Sequence, residues 1–266
     1  MSRKYLDLFK REKDYSSTDA SKTLHVFSIG STSDSAILDE WALVVRRQYK
    51  SDRDIDRRSS DIGITREDFI KDHVLPNPNK PGFESQISAG EFGELITADI
   101  LEKEYLYKVP RYKLLDKPSP GSPIQNVDVI GYKFDKSSET KDEICFAEVK
   151  TSMNGSAEKS IKDSTSEVEN KLSDNLRNST SILFIMDKAS QINDNTTYQE
   201  LKRFMNKSET DFLVSKFAVS VINTSSYPDD TTAGYVCFKP EAHKTFIYVY
   251  GEHLKEFWKY IYSKYL

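Results

Sequence analysis

Val127-Asp128-Val129-Ile130-Gly131-Tyr132 and, after a short polar stretch, Ile144-Cys145-Phe146-Ala147-Glu148-Val149-Lys150 are the segments whose reading decides the fold. Both are rich in β-branched and aromatic residues, as strands are. The polar residues 135–142 between them predict a turn, so the two form a β-hairpin. Each strand also carries charge inside an apolar run. Asp128 lies between two valines, and Glu148 and Lys150 close the second strand. Residues two apart in a strand share a face, so Glu148 and Lys150 project side by side with Val149 on the other face. Burying a carboxylate and an ammonium is costly unless each finds a partner. A divalent metal is a sufficient partner for the carboxylates, and hairpin pairing brings Asp128 within reach of Glu148.

Upstream, residues 88–101 read as a helix, with Ser88 as N-cap and Glu91 closing a capping box. Phe92, Leu95, Ile96 and Leu101 give its buried side. Glu91 and Glu94, three residues apart, share a helical face. Either completes the shell of a metal held by Asp128 and Glu148, or both are first-turn acids favoured by the helix dipole. Gly90 and Gly93 would let this helix approach the sheet closely. Further upstream, residues 75–82, with three prolines, argue against helix and mark a boundary. Residues 1–80 then form an N-terminal extension, mostly helical, with a strand at 23–29. Its first helix starts at about Ser35 and carries Ile37, Leu38, Trp41, Val44 and Val45 on one stripe. Residues 46–60 read as a solvated helix end or loop, and Thr65 caps a second short helix.

Downstream, residues 160–177 read as a charged surface helix. Residues 181–187, a continuous apolar run, read as a strand buried on both faces. A polar helix is expected around 198–205, strands at 217–222 and 244–250, and an amphipathic helix at the C-terminus. Residues 81–266 therefore form the core. The fold class is α/β, with a mixed β-sheet flanked by helices.

Composition narrows the function. With 38 basic against 42 acidic residues the net charge is −4, so any nucleic-acid contact must use local patches. Lys103, Lys108, Arg111, Lys113 and Lys117, interleaved with Tyr105, Tyr107 and Tyr112, read either as such a patch or as a solvated loop. Cys145 and Cys237 sit in apolar runs and read as buried thiols, and no Cys/His spacing suggests zinc. No run approaches a membrane span, so a cytoplasmic protein with no membrane role is expected.

An acidic helix, then Asp128 in a strand, then Glu148-Val149-Lys150 resembles the PD-(D/E)XK nuclease superfamily over residues 88–151, although no proline directly precedes Asp128. Glu-x-Lys alone is common; the ordered set is more specific. The Trp41-bearing helix, GEFGEL, SPIQNVDVIGY and CFAEVKTS together resemble the HamA family, the nuclease component of bacterial Hachiman antiphage defence, over most of the chain. The resemblance implies a restriction-endonuclease-like core and a Mg2+-dependent deoxyribonuclease, with Mn2+ as an alternative ion. It also implies DNA as substrate and a superfamily 2 helicase, HamB, as partner in a heteromeric complex. Asp128, Glu148, Glu94 and the Val149 backbone carbonyl would hold the metal, with Lys150 and Glu91 or Glu94 assisting. Two other readings remain. One is a catalytically inactive DNA-binding or regulatory subunit with a nuclease fold, the other a nuclease acting on RNA.

Overall fold

The computed structural model describes residues 3–16, 23–115, 117–134, 141–154, 159, 163, 171–205, 211–226 and 244–265. Strands β1 (Phe9–Arg11), β2 (Tyr15–Ser16), β3 (Thr23–Ile29), β4 (Val129–Lys133), β5 (Asp142–Ser152), β6 (Phe212–Asn223) and β7 (Lys244–Gly251) form one sheet. The order is β1-β3-β7-β6-β5-β4, with β2 also on β3. The central pairs β3/β7, β7/β6 and β6/β5 are parallel; β4 on β5 and the β1 and β2 pairings on β3 are antiparallel. The class is α/β with a mixed sheet, as expected. The anticipated hairpin forms with Val129 opposite Ala147 and Tyr132 opposite Ile144. Most of its turn, like Cys237 and most of residues 160–177, lies outside the described residues.

Side-chain alternation divides the interior into two apolar layers. Cys145, Ala147 and Val149 of β5 face one layer, with α1 (Ser35–Tyr49), α4 (Phe83–Glu104) and the C-terminal helix α7 (Leu254–Ser263). Ile144 and Phe146 face the other, with α5 (Asn175–Gln191) and α6 (Asn195–Lys202). The short α2 (Asp52–Ile62) and α3 (Arg66–His73) pack near the first layer through Ile55, Phe69 and Ile70. Residues 1–80 are not set apart from this arrangement. Their β3 pairs with β7 from Leu24 opposite Phe246 to Ser28 opposite Tyr250. Trp41 packs against Tyr5, Phe92 and Phe257.

Several local expectations change. Residues 181–187 are helical, inside α5, whose N-cap Asp174 accepts from Leu176 N and Arg177 N. Ile182, Ile185 and Met186 are buried while Leu183 is 46% exposed, so the run is one-sided and its length alone misled. Ser88 is no cap: α4 starts at Phe83, and Ser88 lies within it, accepting a hydrogen bond from Trp258 Nε1 (3.2 Å). Glu91 and Glu94 consequently lie beyond the first turn, and the dipole reading of them falls away. Residues 52–62 are helical, and Arg46 is buried, donating to Lys50 O (2.9 Å) and pairing with Asp52. Asp34 and Thr65 cap α1 and α3.

Candidate functional site

The site grows from a mismatch in strand length. β4 begins at Val129, whose partner is Ala147, whereas β5 runs on to Ser152. Beyond Ala147, β5 has no β4 partner on that edge, and a notch opens there. Asp128, immediately before β4, occupies the notch, and its Oδ2 accepts a hydrogen bond from Val149 N (2.8 Å). A strand residue's N–H and C=O leave on the same side. The Val149 carbonyl therefore points toward the same edge as Asp128.

Two carboxylates flank Asp128 from opposite faces of the sheet. Glu148 shares the face of Ile144 and Phe146, on the α5 side, and is 1% exposed. Glu94 comes from α4 on the other face. Lys113 Nζ joins Glu94 to Asp128, at 2.8 Å from Glu94 Oε2 and 3.4 Å from Asp128 Oδ1. Gly93 lets α4 sit this close, since a Cβ there would lie 1.9 Å from Thr151 Oγ1. Gly90 plays no such part, with nothing within 4 Å of a built Cβ.

On the α5 face, Glu148 is ringed by cations. Lys171 Nζ lies 2.5 Å and Lys150 Nζ 3.9 Å from its Oε1, and Arg177 Nη2 lies 3.3 Å from its Oε2. Lys150 thus shares the face of Glu148, as the spacing predicts. Burial and then the neighbouring Asp128 hold the Glu148 carboxyl above its ordinary range, against the pull of Lys171 and Arg177. Burial and Asp128 likewise push Glu94 up to about 8, although Lys113 opposes them. Burial pulls the Lys113 ammonium down, but Glu94 and Asp128 outweigh it and the net shift is upward. Asp128 is thus the electrostatic link between the two flanking acids.

Glu91 belongs to a separate buried network one turn back along α4. It pairs with Lys117 and accepts from Tyr49 Oη (2.6 Å), which in turn bonds Tyr262 Oη (2.9 Å). Burial outweighs these partners and leaves its carboxyl raised. The structure therefore brings Glu94, not Glu91, to Asp128. Among the described residues no three His, Cys, Asp or Glu side chains stand in the close grouping of a formed metal site.

Reading the chain residue by residue misses Lys171 and Arg177, because their surroundings look like a solvated charged face. Asp174, a good N-cap seven residues before the start of the apolar run at Ser181, was the available signal that a helix starts beside Arg177. Part of the Lys/Arg/Tyr patch turns inward, namely Arg111, Lys113 and Lys117, whereas Lys103 and Lys108 stay exposed. Lys113 and Lys117 pair as described, Arg111 bonds Asp99 (2.8 Å), and Lys108 pairs with Glu200. In each case a buried or half-buried acid captures the cation.

No helix among the described residues is long and apolar enough to cross a membrane. No curated protein matches the chain. A family model, that of HamA, matches residues 3–265, nearly the whole length. The chain belongs to the HamA family, and so to the components of Hachiman antiphage defence.

Proposed function

We propose that this chain is a metal-dependent deoxyribonuclease with a restriction-endonuclease-like core, acting as the effector of a defence complex with a helicase partner. The observation that carries this reading is the gathering of Glu94, Asp128 and Glu148 around one sheet notch, with Lys150 beside Glu148. The donor set suits a hard divalent cation, which takes carboxylate and carbonyl oxygens. The notch also favours positive charge: two of its carboxyls are raised, and Lys113 already stands between Glu94 and Asp128.

Asp128, Glu148, the Val149 carbonyl and Glu94 would hold Mg2+, or Mn2+. When bound, the ion supplies Lewis-acid activation of water and charge neutralisation at the scissile phosphodiester. Asp128 keeps its orientation through the Val149 N–H. Lys150 would orient the attacking water or offset charge developing on the phosphate. Glu91, locked to Lys117 and Tyr49, would hold α4 in place and so position Glu94. The acidic net charge leaves a long basic track for DNA to the partner.

The chain with its helicase partner should degrade DNA in Mg2+, and Glu148→Ala and Lys150→Ala should abolish this. Equal cutting by those variants removes the mechanism. One observation favours a second reading, an inactive regulatory subunit: each of the three carboxylates already has a cationic partner. Calorimetric titration with Mg2+ or Mn2+ separates the two, since an inactive site binds neither. Matched DNA and RNA substrates decide the nucleic acid.

A further inference from the structure

Taking the metal-site reading as its basis, we infer that Ser181 of α5 is a positioning residue for Asp128, holding that carboxylate at the notch through the backbone of Val127. Asp128 lies outside the β4–β5 ladder, which begins one residue later with Val129 opposite Ala147. The sheet therefore fixes its downstream neighbour. The helix fixes its upstream neighbour: Val127 N donates to Ser181 Oγ (3.0 Å), and both residues are buried. The hydroxyl is itself oriented. It donates to Arg177 O (2.8 Å) one turn back along α5, with Asn126 Oδ1 a longer alternative acceptor at 3.3 Å. A hydroxyl has one proton to give and lone pairs left to accept, so its oxygen meets the Val127 N–H as acceptor.

A second bond ties the same segment to the same side of α5. Arg177 precedes Ser181 by one helical turn and shares its face. Its Nη2 donates to Asn126 O (2.7 Å) and lies 3.3 Å from Glu148 Oε2. One turn of α5 thus grips residues 126 and 127 and touches the carboxylate that flanks Asp128. Val127 also packs in the layer of Ile182 and Ile185, which sets its depth. Apolar burial is non-directional, however, whereas a hydrogen bond is directional. Ser181 therefore fixes the rotation of the chain as it enters Asp128, and with it the direction of the carboxylate. Outer partners that orient metal ligands in this way contribute about 10–100-fold to metal affinity.

The test is calorimetric titration of the metal-stripped full chain with Mn2+, and with Mg2+. Ser181→Ala should weaken binding by about 10–100-fold. Ser181→Cys, similar in size but a weak acceptor, should show an intermediate loss, and it keeps the test open should Ser181→Ala fold poorly. Ser181→Thr keeps the hydroxyl and should stay near the unmodified chain. Ser181 borders a cleft shared with Asp128 and Phe184, which leaves space for the added methyl group. Ser179→Ala is the control. Its hydroxyl makes the same bond back along α5, to Asn175 O (2.9 Å), and its loss should leave the affinity unchanged. A purely structural role for Ser181 would lower the melting temperature in EDTA and leave the affinity as it was. If the unmodified chain binds Mn2+ and Ser181→Ala binds it equally well, or Ser181→Thr loses as much as Ser181→Ala, the inference fails and the metal-site reading stands. If the unmodified chain binds neither ion, that reading fails and the inference with it.

Discussion

Glu94 sits where burial and Asp128 both oppose its charge, and its ionisation gives the site a measurable signature. Its carboxyl moves from an ordinary value of 4.5 to about 8 on folding. Between those values the folded chain keeps a proton that the unfolded chain has lost. Stability without metal therefore falls as pH rises from about 4.5 toward 8, and the full penalty is present above that. Glu91, Asp99 and Glu148 shift in the same direction. Melting temperatures in EDTA should fall across this range. Glu94→Gln should flatten the fall, and Mg2+ should restore stability most at the alkaline end. A pH profile identical in Glu94→Gln and the unmodified chain would contradict this assignment. At this scale the chain alone pointed to Asp128, Glu148 and Lys150, because charge in an apolar strand has few explanations. It left Glu91 against Glu94 open, since both lie on one helical face. The loop cations decided between them, with Lys117 claiming Glu91 and Lys113 joining Glu94 to Asp128.

The contact between α4 and β5 sets the width of the notch, and Gly93 is its pivot. A methyl group there meets Thr151 Oγ1 at 1.9 Å and Thr151 Cβ at 3.2 Å. Gly93→Ala should therefore push α4 outward, destabilise the fold by about 1–3 kcal/mol, and weaken Mg2+ binding as Glu94 moves away. Adding Thr151→Ala removes the shorter contact and should recover part of the loss, which a double-mutant cycle on melting temperatures reads directly. Additive effects would show that the two residues do not meet. Strand and helix positions were largely legible from periodicity and caps, as in β3, α1, α3 and the β4–β5 hairpin. The failures share a cause. Residues 181–187 are apolar enough for either a buried strand or a helix. Ser88 resembled a cap because the weakly patterned residues 83–87 hid the true start of α4.

Across the whole molecule, residues 1–80 are woven into the sheet and its larger apolar layer. β3 is hydrogen-bonded to β7. Trp41, 1% exposed, stacks on Tyr5 with centroids 5.1 Å apart and touches Phe92 of α4. Trp41→Ala should cost about 3–5 kcal/mol. A chain starting at residue 81 should lack cooperative unfolding, because its β7 edge and the apolar faces of α4 and α7 would be uncovered. A cooperative melt of that fragment would show that the core folds by itself. The division at the proline-rich residues 75–82 was read from composition, which marks where backbone cannot be helical but not which surfaces later meet. The amino-acid order determined the hairpin, its three misplaced charges and the family they belong to, because those depend on local spacing and strand alternation. Only the tertiary structure decided that Glu94 and Glu148 approach Asp128 from opposite faces, that Lys113, Lys171 and Arg177 answer them, and that β4 begins late enough along β5 to open the notch. Those outcomes depend on how distant segments pack, which no local pattern encodes.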